Sequence, residues 1–254
     1  MIKIKNPNNR ILIYGYRTII EALKSKNINI LIVIINKIKI KKYNFLIKKI
    51  KNKKIPIKIL NKDKIDKIIY KKKINNYQGI IAYIYLLKKY ILNDIIKIKK
   101  KIIILILYNI TDTKNIGSII RTSVCLNVNF IIIQKNYYIF NPTIIKISSG
   151  AIFKIPICRE KNIEQTIKFL IKQKIKIFSI TEKGKNNSIN YFNNLDYSIA
   201  IILGNEEKGI PNNILKLSND TIKIPILKKK ISSLNVSVAC GIILYEINRK
   251  NKLN

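Results

Sequence analysis

Six consecutive apolar residues, Ile102-Ile103-Ile104-Leu105-Ile106-Leu107, constrain the fold of this chain more than any other stretch. A strand that alternates apolar and polar residues has one wet face. This run has none, so both of its faces must be covered. It is far short of the roughly 20 apolar residues that a membrane helix needs, and its β-branched side chains favour a strand. A polar loop from Tyr108 to Gly117, a helical stretch from Ser118 to Leu126 and a strand-like run from Asn129 to Ile133 follow. Strand, helix and strand in that order make a βαβ unit with parallel strands.

The same grammar continues to the C-terminus. Lys176 to Ile180, Ser198 to Leu203 and Thr221 to Ile226 read as strands, with a helix near Glu160 to Gln173. Ile231-Ser232-Ser233-Leu234-Asn235 then opens the last helix. Leu234, Val238, Ile242 and Tyr245 recur at helical spacing, so they share one face of what reads as a capped core helix. Ser233 and Asn235 stand where the helix begins, where such residues satisfy orphan backbone N–H groups.

Upstream lies a smaller unit. Ile11 to Gly15 precedes a helical pattern at Thr18 to Leu23, and a strand follows at Ile30 to Ile35. Residues 43–51 have helical spacing, Ile55 to Leu60 reads as a short strand, and Asn61-Lys62-Asp63 starts a helix. The turn at Asn75 to Gly79 leads into a strand at Ile80 to Tyr85. We therefore read a basic disordered tail at 1–9, a small α/β unit at 10–86, a charged linker at 87–100 and a larger α/β unit at 101–250.

Composition excludes several chemistries. No histidine is present, so no imidazole base, His-based triad or histidine metal site can be built. The three cysteines, Cys125, Cys158 and Cys240, are widely spaced and form no CxxC pair, which points to buried thiols in a reducing, cytoplasmic setting without a zinc site. No signal peptide or membrane span is expected. The net charge is +37, and residues 1–101, with 28 basic against 4 acidic residues, carry +24 of it. Such a surplus favours a polyanion, nucleic acid first, although drift toward Lys on solvated faces would give the same count.

Three polar clusters follow the apolar strands of the larger unit. The first is Asn109-x-x-Asp112-x-x-Asn115-x-Gly117-x-x-x-Arg121. The second is Leu203-Gly204-Asn205-Glu206-Glu207-Lys208-Gly209, and the third is Ile224-Pro225-Ile226 with Ser233-Leu234-Asn235. Loops at the carboxyl ends of parallel strands are where α/β proteins hold ligands. Singly, Gly204 and Gly209 read as turn residues, Asn115 as a helix cap and Arg121 as a solvated charge. Their order and spacing are the specific signal.

In that order the clusters resemble the three motifs of the SpoU branch of the SPOUT RNA ribose 2′-O-methyltransferases. Those motifs are N-x-x-D-P-x-N-x-G-x-x-x-R, G-x-E-x-x-G, and I-P-M-x-G-x-x-x-S-L-N-V-S-V-A. Tyr14-Gly15, Ile20-Glu21-Ala22-Leu23 and Tyr77-Gln78-Gly79-Ile80 likewise resemble the substrate-binding domain of RlmB-type members. Two departures stand out: Thr113 replaces the usual Pro, and Leu227-Lys228-Lys229-Lys230-Ile231 replaces a shorter stretch containing Gly.

The resemblance implies a C-terminal SPOUT α/β domain with a deep trefoil knot around a parallel sheet, plus a small N-terminal α/β, L7Ae-like, substrate-binding domain. It implies S-adenosylmethionine as cofactor, with Leu203, Gly204, Ile224, Leu234 and Ala239 around it and no metal. It assigns catalysis to Arg121, Asn115, Glu206, Ser233 and Asn235, Arg121 positioning the ribose or its phosphate and stabilising negative charge. It also implies a homodimer in which both copies contribute to each site. The expected reaction is methylation of a guanosine 2′-oxygen in 23S ribosomal RNA. Methylation of tRNA, and a non-catalytic RNA-binding or ribosome-assembly protein, are the alternatives.

Overall fold

The computed structural model describes residues 10–70, 74, 76–95, 97, 101–134, 138–187, 192, 195–227 and 233–250. The N-terminal tail expected at 1–9 and all of the Lys-rich stretch at 227–231 except Leu227 fall outside these residues. The chain packs as two units, residues 1–88 with 139–154, and residues 89–138 with 155–254.

The first unit opens with β1 (Ile11–Tyr14), α1 (Tyr16–Lys24), β2 (Ile28–Asn36), α2 (Asn44–Asn52), β3 (Ile57–Leu60), α3 (Lys62–Tyr70) and β4 (Ile80–Leu86). Its sheet runs β1-β4-β2-β3, with β4 antiparallel to both neighbours and β3 parallel to β2. Pro56 ends just before β3, and its carbonyl accepts from Val33 N at 2.9 Å. A proline there keeps its missing N–H out of the ladder.

In the second unit β5 (Ile103–Leu107) has Ile104 through Leu107 fully buried, as an apolar run without alternation demands. α4 (Thr113–Cys125) and β6 (Phe130–Gln134) complete the βαβ unit. α5 (Pro142–Ile147) lies in the segment that packs with the first unit. β7 (Ile157–Glu160), α6 (Ile163–Lys172), β8 (Lys176–Ile180), β9 (Asn186–Asn187), β10 (Ile199–Leu203), α7 (Asn212–Leu215), β11 (Asp220–Lys223) and α8 (Val236–Lys250) follow. The sheet order is β7-β6-β5-β10-β8-β11-β9, and every pairing is parallel.

α4 begins five residues before the Ser118 expected from the apolar pattern. Asp112 causes this: its carboxylate accepts from Lys114 N at 2.9 Å and caps the helix. Thr113 therefore occupies the first helical position, where proline is favoured because its absent N–H costs nothing. α5 and β7 were not expected, since residues 139–160 hold no long apolar period. Asn141 caps α5 through Ile144 N at 2.8 Å, with Pro142 leading the helix.

α8 presents two apolar faces. Val236, Cys240, Ile243, Leu244 and Ile247 are buried. The face expected to be core is instead open: Leu234 is 38% exposed, Val238 49% and Tyr245 54%. α8 packs on α4 in the same direction. Asn235 Nδ2 donates to Asn115 Oδ1 at 3.0 Å near one end, and Asn248 Nδ2 to the Leu126 carbonyl at 2.8 Å at the other. Cys158 and Cys240 are buried, but Cys125 is exposed, contrary to the sequence reading. Burial pushes the Cys240 thiol up to about 12, and burial beside Glu160 pushes Cys158 up as well, so neither is an activated nucleophile. Among the described residues no helix is long and apolar enough to cross a membrane.

Candidate functional site

β5 and β10 are parallel neighbours. From β5 the chain builds outward through β6 and β7, while β8, β11 and β9 lie beyond β10. The β5–β10 seam is thus a switch point, where the loops leaving the carboxyl ends diverge and open a crevice. Two of the three polar clusters leave the sheet there. The loop after β5 carries Asn109 and Asp112, and the loop after β10 carries Gly204 to Gly209.

The second loop folds tightly on itself. Gly209 N donates to the Asn205 carbonyl at 2.9 Å, and Gly209 has φ +65°. A Cβ on Gly204 would lie 2.7 Å from the Gly209 carbonyl carbon, so no side chain fits. Asn205 ties the two loops together. Its Nδ2 donates to the Asn109 carbonyl at 2.8 Å, while its Oδ1 accepts from Glu207 N at 3.0 Å and Lys208 N at 2.9 Å. Sequence reasoning gave Asn205 no role. An Asn inside a glycine-bounded turn was the available signal, because its short side chain bonds backbone groups two residues on.

A directed chain of hydrogen bonds joins the clusters. Asn115 Nδ2 donates to Glu206 Oε1 at 2.9 Å. Asn115 Oδ1 accepts from Asn235 Nδ2, and Asn235 Oδ1 accepts from Ser237 N at 2.9 Å and Ser237 Oγ at 2.6 Å. An ionised carboxylate only accepts, so Glu206 fixes which way both amides point. Asn115 is buried inside α4 and is a link in this chain rather than the helix cap it resembled alone.

Two clefts meet at the second loop. One, of about 700 Å³, is lined by Leu203, Gly204, Ile224, Leu234 and Ala239, and also by Glu206, Ser233 and Asn235. All five residues expected around a cofactor thus share one cavity. Glu182 and Glu207 add carboxylates to its wall, and Lys183 and Lys208 add cations. The other cleft, of about 690 Å³, is lined by Tyr108, Asn109, Asp112, Asn115 and Glu206. Glu206 borders both, so a group in one cleft can be placed against a group in the other.

Arg121 is not brought to this site. It is exposed on α4 and lines neither cleft. Geometry forces the separation. Six residues along an α-helix advance roughly 9 Å and turn roughly 600°, so Arg121 points about 120° away from Asn115.

The SpoU rRNA Methylase family matches residues 102–245, and the family described as RNA 2′-O ribose methyltransferase substrate binding matches residues 12–89. A putative TrmH family tRNA/rRNA methyltransferase of Staphylococcus aureus (strain COL) is 31% identical, covering 94% of this chain and 96% of that protein. The 23S rRNA (guanosine-2′-O-)-methyltransferase RlmB of Blochmanniella floridana is 34% identical over 69% of this chain and 70% of its own. Among solved structures, the SpoU methyltransferase AviRb of Streptomyces viridochromogenes with AdoMet aligns at a TM-score of 0.79 and 19% identity, covering 98% of this chain and 95% of that one.

Proposed function

The chain belongs to the SpoU rRNA methylase family and is an S-adenosylmethionine-dependent RNA methyltransferase, and we propose that it methylates the ribose 2′-hydroxyl of a guanosine in 23S ribosomal RNA. The observation that carries this reading is the Asn235–Asn115–Glu206 chain, which ends on a carboxylate bordering two clefts. The RlmB relative and the second matched family, which describes RNA ribose 2′-O chemistry, support the choice of atom and of RNA. The S. aureus relative's description names tRNA as well as rRNA, and that keeps tRNA as the second reading.

The larger cleft fits the cofactor. Its volume suits a ligand of that size. Leu203, Ile224, Leu234 and Ala239 give it apolar walls, and Gly204 lets ligand atoms approach the backbone. Glu182, Glu206 and Glu207 add carboxylates to the same lining, which would favour a ligand that carries a cation. When bound, S-adenosylmethionine supplies an electrophilic methyl group.

The chain's own residues supply orientation. Glu206, held by Asn115, accepts a hydrogen bond from the ribose, and Ser233 and Asn235 close the wall beside it. Arg121 acts from a second copy of the chain, seating the ribose phosphate and stabilising the negative charge that builds on the 2′-oxygen as its proton shifts toward Glu206. The exposed side chains of Leu234, just before α8, and of Val238 and Tyr245 on it would be covered in that homodimer; Leu234 and Val238 are already half covered, so each would add about half of the ~1.5–3 kcal/mol that burial from full exposure contributes. The family's trefoil knot would be threaded through the loops that frame this cleft. We read the enzyme as cytoplasmic, with residues 10–86 as its RNA substrate-binding domain, 87–100 as a linker and 101–250 as its methyltransferase domain.

Arg121→Ala should abolish transfer of labelled methyl to RNA while the calorimetric heat of cofactor binding is kept. Mixing Arg121→Ala with Glu206→Ala chains should restore part of the activity, because one site of a mixed dimer is intact. Unchanged turnover, or no rescue on mixing, would sink the role given to Arg121. Mapping 2′-O-methyl groups in cells with and without the protein decides the target. A guanosine lost from 23S ribosomal RNA supports the first reading, and a nucleotide lost from tRNA supports the second.

A further inference from the structure

The first unit holds a cleft of its own, about 290 Å³, lined by Tyr16, Arg17, Lys42, Tyr43, Gln78 and Lys146. Two features distinguish it. The Tyr16 and Tyr43 rings stack with centroids 5.6 Å apart and planes 16° from parallel. Tyr43 is buried, while Tyr16 is half-buried and lines the cleft. Three cations line the cavity, and among the described residues no acidic side chain does. Glu21, on the same helix as Arg17, is paired instead with Lys154 at 2.6 Å and Lys24 at 3.0 Å.

Lys146 is held in a built position. Its Nζ donates to Gln78 Oε1 at 3.0 Å and lies 5.8 Å from the centre of the Tyr14 ring. Gln78 Oε1 also accepts from Tyr16 N at 3.1 Å, and the Gln78 carbonyl accepts from Tyr43 Oη at 2.6 Å. Gly15 has φ +89°, and a Cβ there would collide with the Lys146 side chain. Partial burial, and next the charge of Arg17, lower the Lys146 pKa. Burial disfavours the charged ammonium, and the like charge of Arg17 repels it. Thr18 also lines the cleft, and its fully buried Oγ1 has no hydrogen-bond partner among the described residues. A buried hydroxyl in that state is expected to find one.

Resting on the reading of this chain as an RNA-modifying enzyme, we propose that this cleft binds one nucleoside monophosphate unit apart from the methylated residue. The base stacks on Tyr16, and the phosphate sits among Lys146, Arg17 and Lys42. A ring face beside clustered cations is how proteins take a base together with its phosphate. The unit comes either from a single-stranded segment of the RNA or from a free nucleotide.

The test uses the full chain and fluorescence anisotropy with a labelled single-stranded RNA hexamer, with GMP and AMP as competitors. Tyr16→Leu should weaken the hexamer about tenfold, as loss of one stacked base does, and Lys146→Gln should weaken it through loss of one phosphate cation, lowering the log–log salt slope as well. Tyr16→Phe should restore most of the loss at that position. Lys42→Gln, at an exposed side chain that does not threaten folding, should lower the log–log salt slope by about 0.7, the value for one phosphate contact on a single strand. Competition by a mononucleotide at equal concentration would assign the cleft to a free nucleotide. Competition only by oligonucleotides would assign it to the RNA strand. Hexamer and mononucleotide affinities unchanged in Lys146→Gln and Tyr16→Leu, with native circular dichroism, would overturn the proposal. Lys146-dependent binding in a protein that methylates no RNA would uphold the cleft and defeat the function proposed above.

Discussion

In the second unit Glu206 is met by the amide of Asn115, and Asn115 by the amide of Asn235, so each polar group is answered by another of fixed direction. In the first unit Lys146, Arg17 and Lys42 crowd one cleft that no carboxylate among the described residues lines. The first arrangement is complete before any ligand arrives and suits orientation, where small displacements matter most. The second is incomplete in charge and suits capture of an anion. On the readings proposed above, the two arrangements separate holding RNA from positioning the atom to be changed.

The contrast can be broken most sharply at Asn115. Asn115→Asp would set a second carboxylate against Glu206 Oε1, which now accepts at 2.9 Å. Methyl transfer should fall by about two orders of magnitude at pH 7. Like charges at that range raise the pair's apparent pKa, so activity should recover as pH falls and one proton is shared. A pH–rate profile parallel to wild type would show that the amide's direction is irrelevant.

Gly204→Ala is the next in size. Its new Cβ would meet both Ile210 Cγ1 and the Gly209 backbone, and the backbone cannot swing aside as a side chain can, so the loop must move. Overpacking of this kind costs about 1–3 kcal/mol. The melting temperature should drop and cofactor affinity should fall about tenfold, both measurable by calorimetry. The smallest effect sharpens the comparison through salt. Raising salt should weaken RNA binding steeply and cofactor binding hardly at all, since only the former releases counterions. Equal salt dependence would mean that the two clefts do not divide the work as argued.

The sheet of the second unit was legible because Ile104 to Leu107 and Ile199 to Leu203 are runs with no polar interruption, and such runs have one stable use. The candidate site residues stood out as motifs. Their contacts did not. Asn115 looked like a cap because helix α4 was expected to begin later, and only the Asp112 cap moves it inside the helix. The apolar period of α8 was real, yet Leu234, Val238 and Tyr245 are exposed while Cys240, Ile243 and Ile247 are buried. A helix apolar on two sides carries no mark of which side its own chain will cover. The cleft around Lys146 was illegible for another reason. It draws Gln78 and Lys146 from positions 68 residues apart, and no local pattern links them.

Asn235 carries a last consequence. Its oxygen receives the first-turn amide and hydroxyl of Ser237, and its nitrogen serves Asn115. Elsewhere a helix start accepts Ser, Thr, Asp or Asn almost interchangeably. Here Asp lacks the donor, Ser and Thr lack the reach, and Gln is too long to turn back on its own helix. Of the four letters that normally spell the beginning of a helix, this position reads only one, so local grammar and distant chemistry are written in the same character.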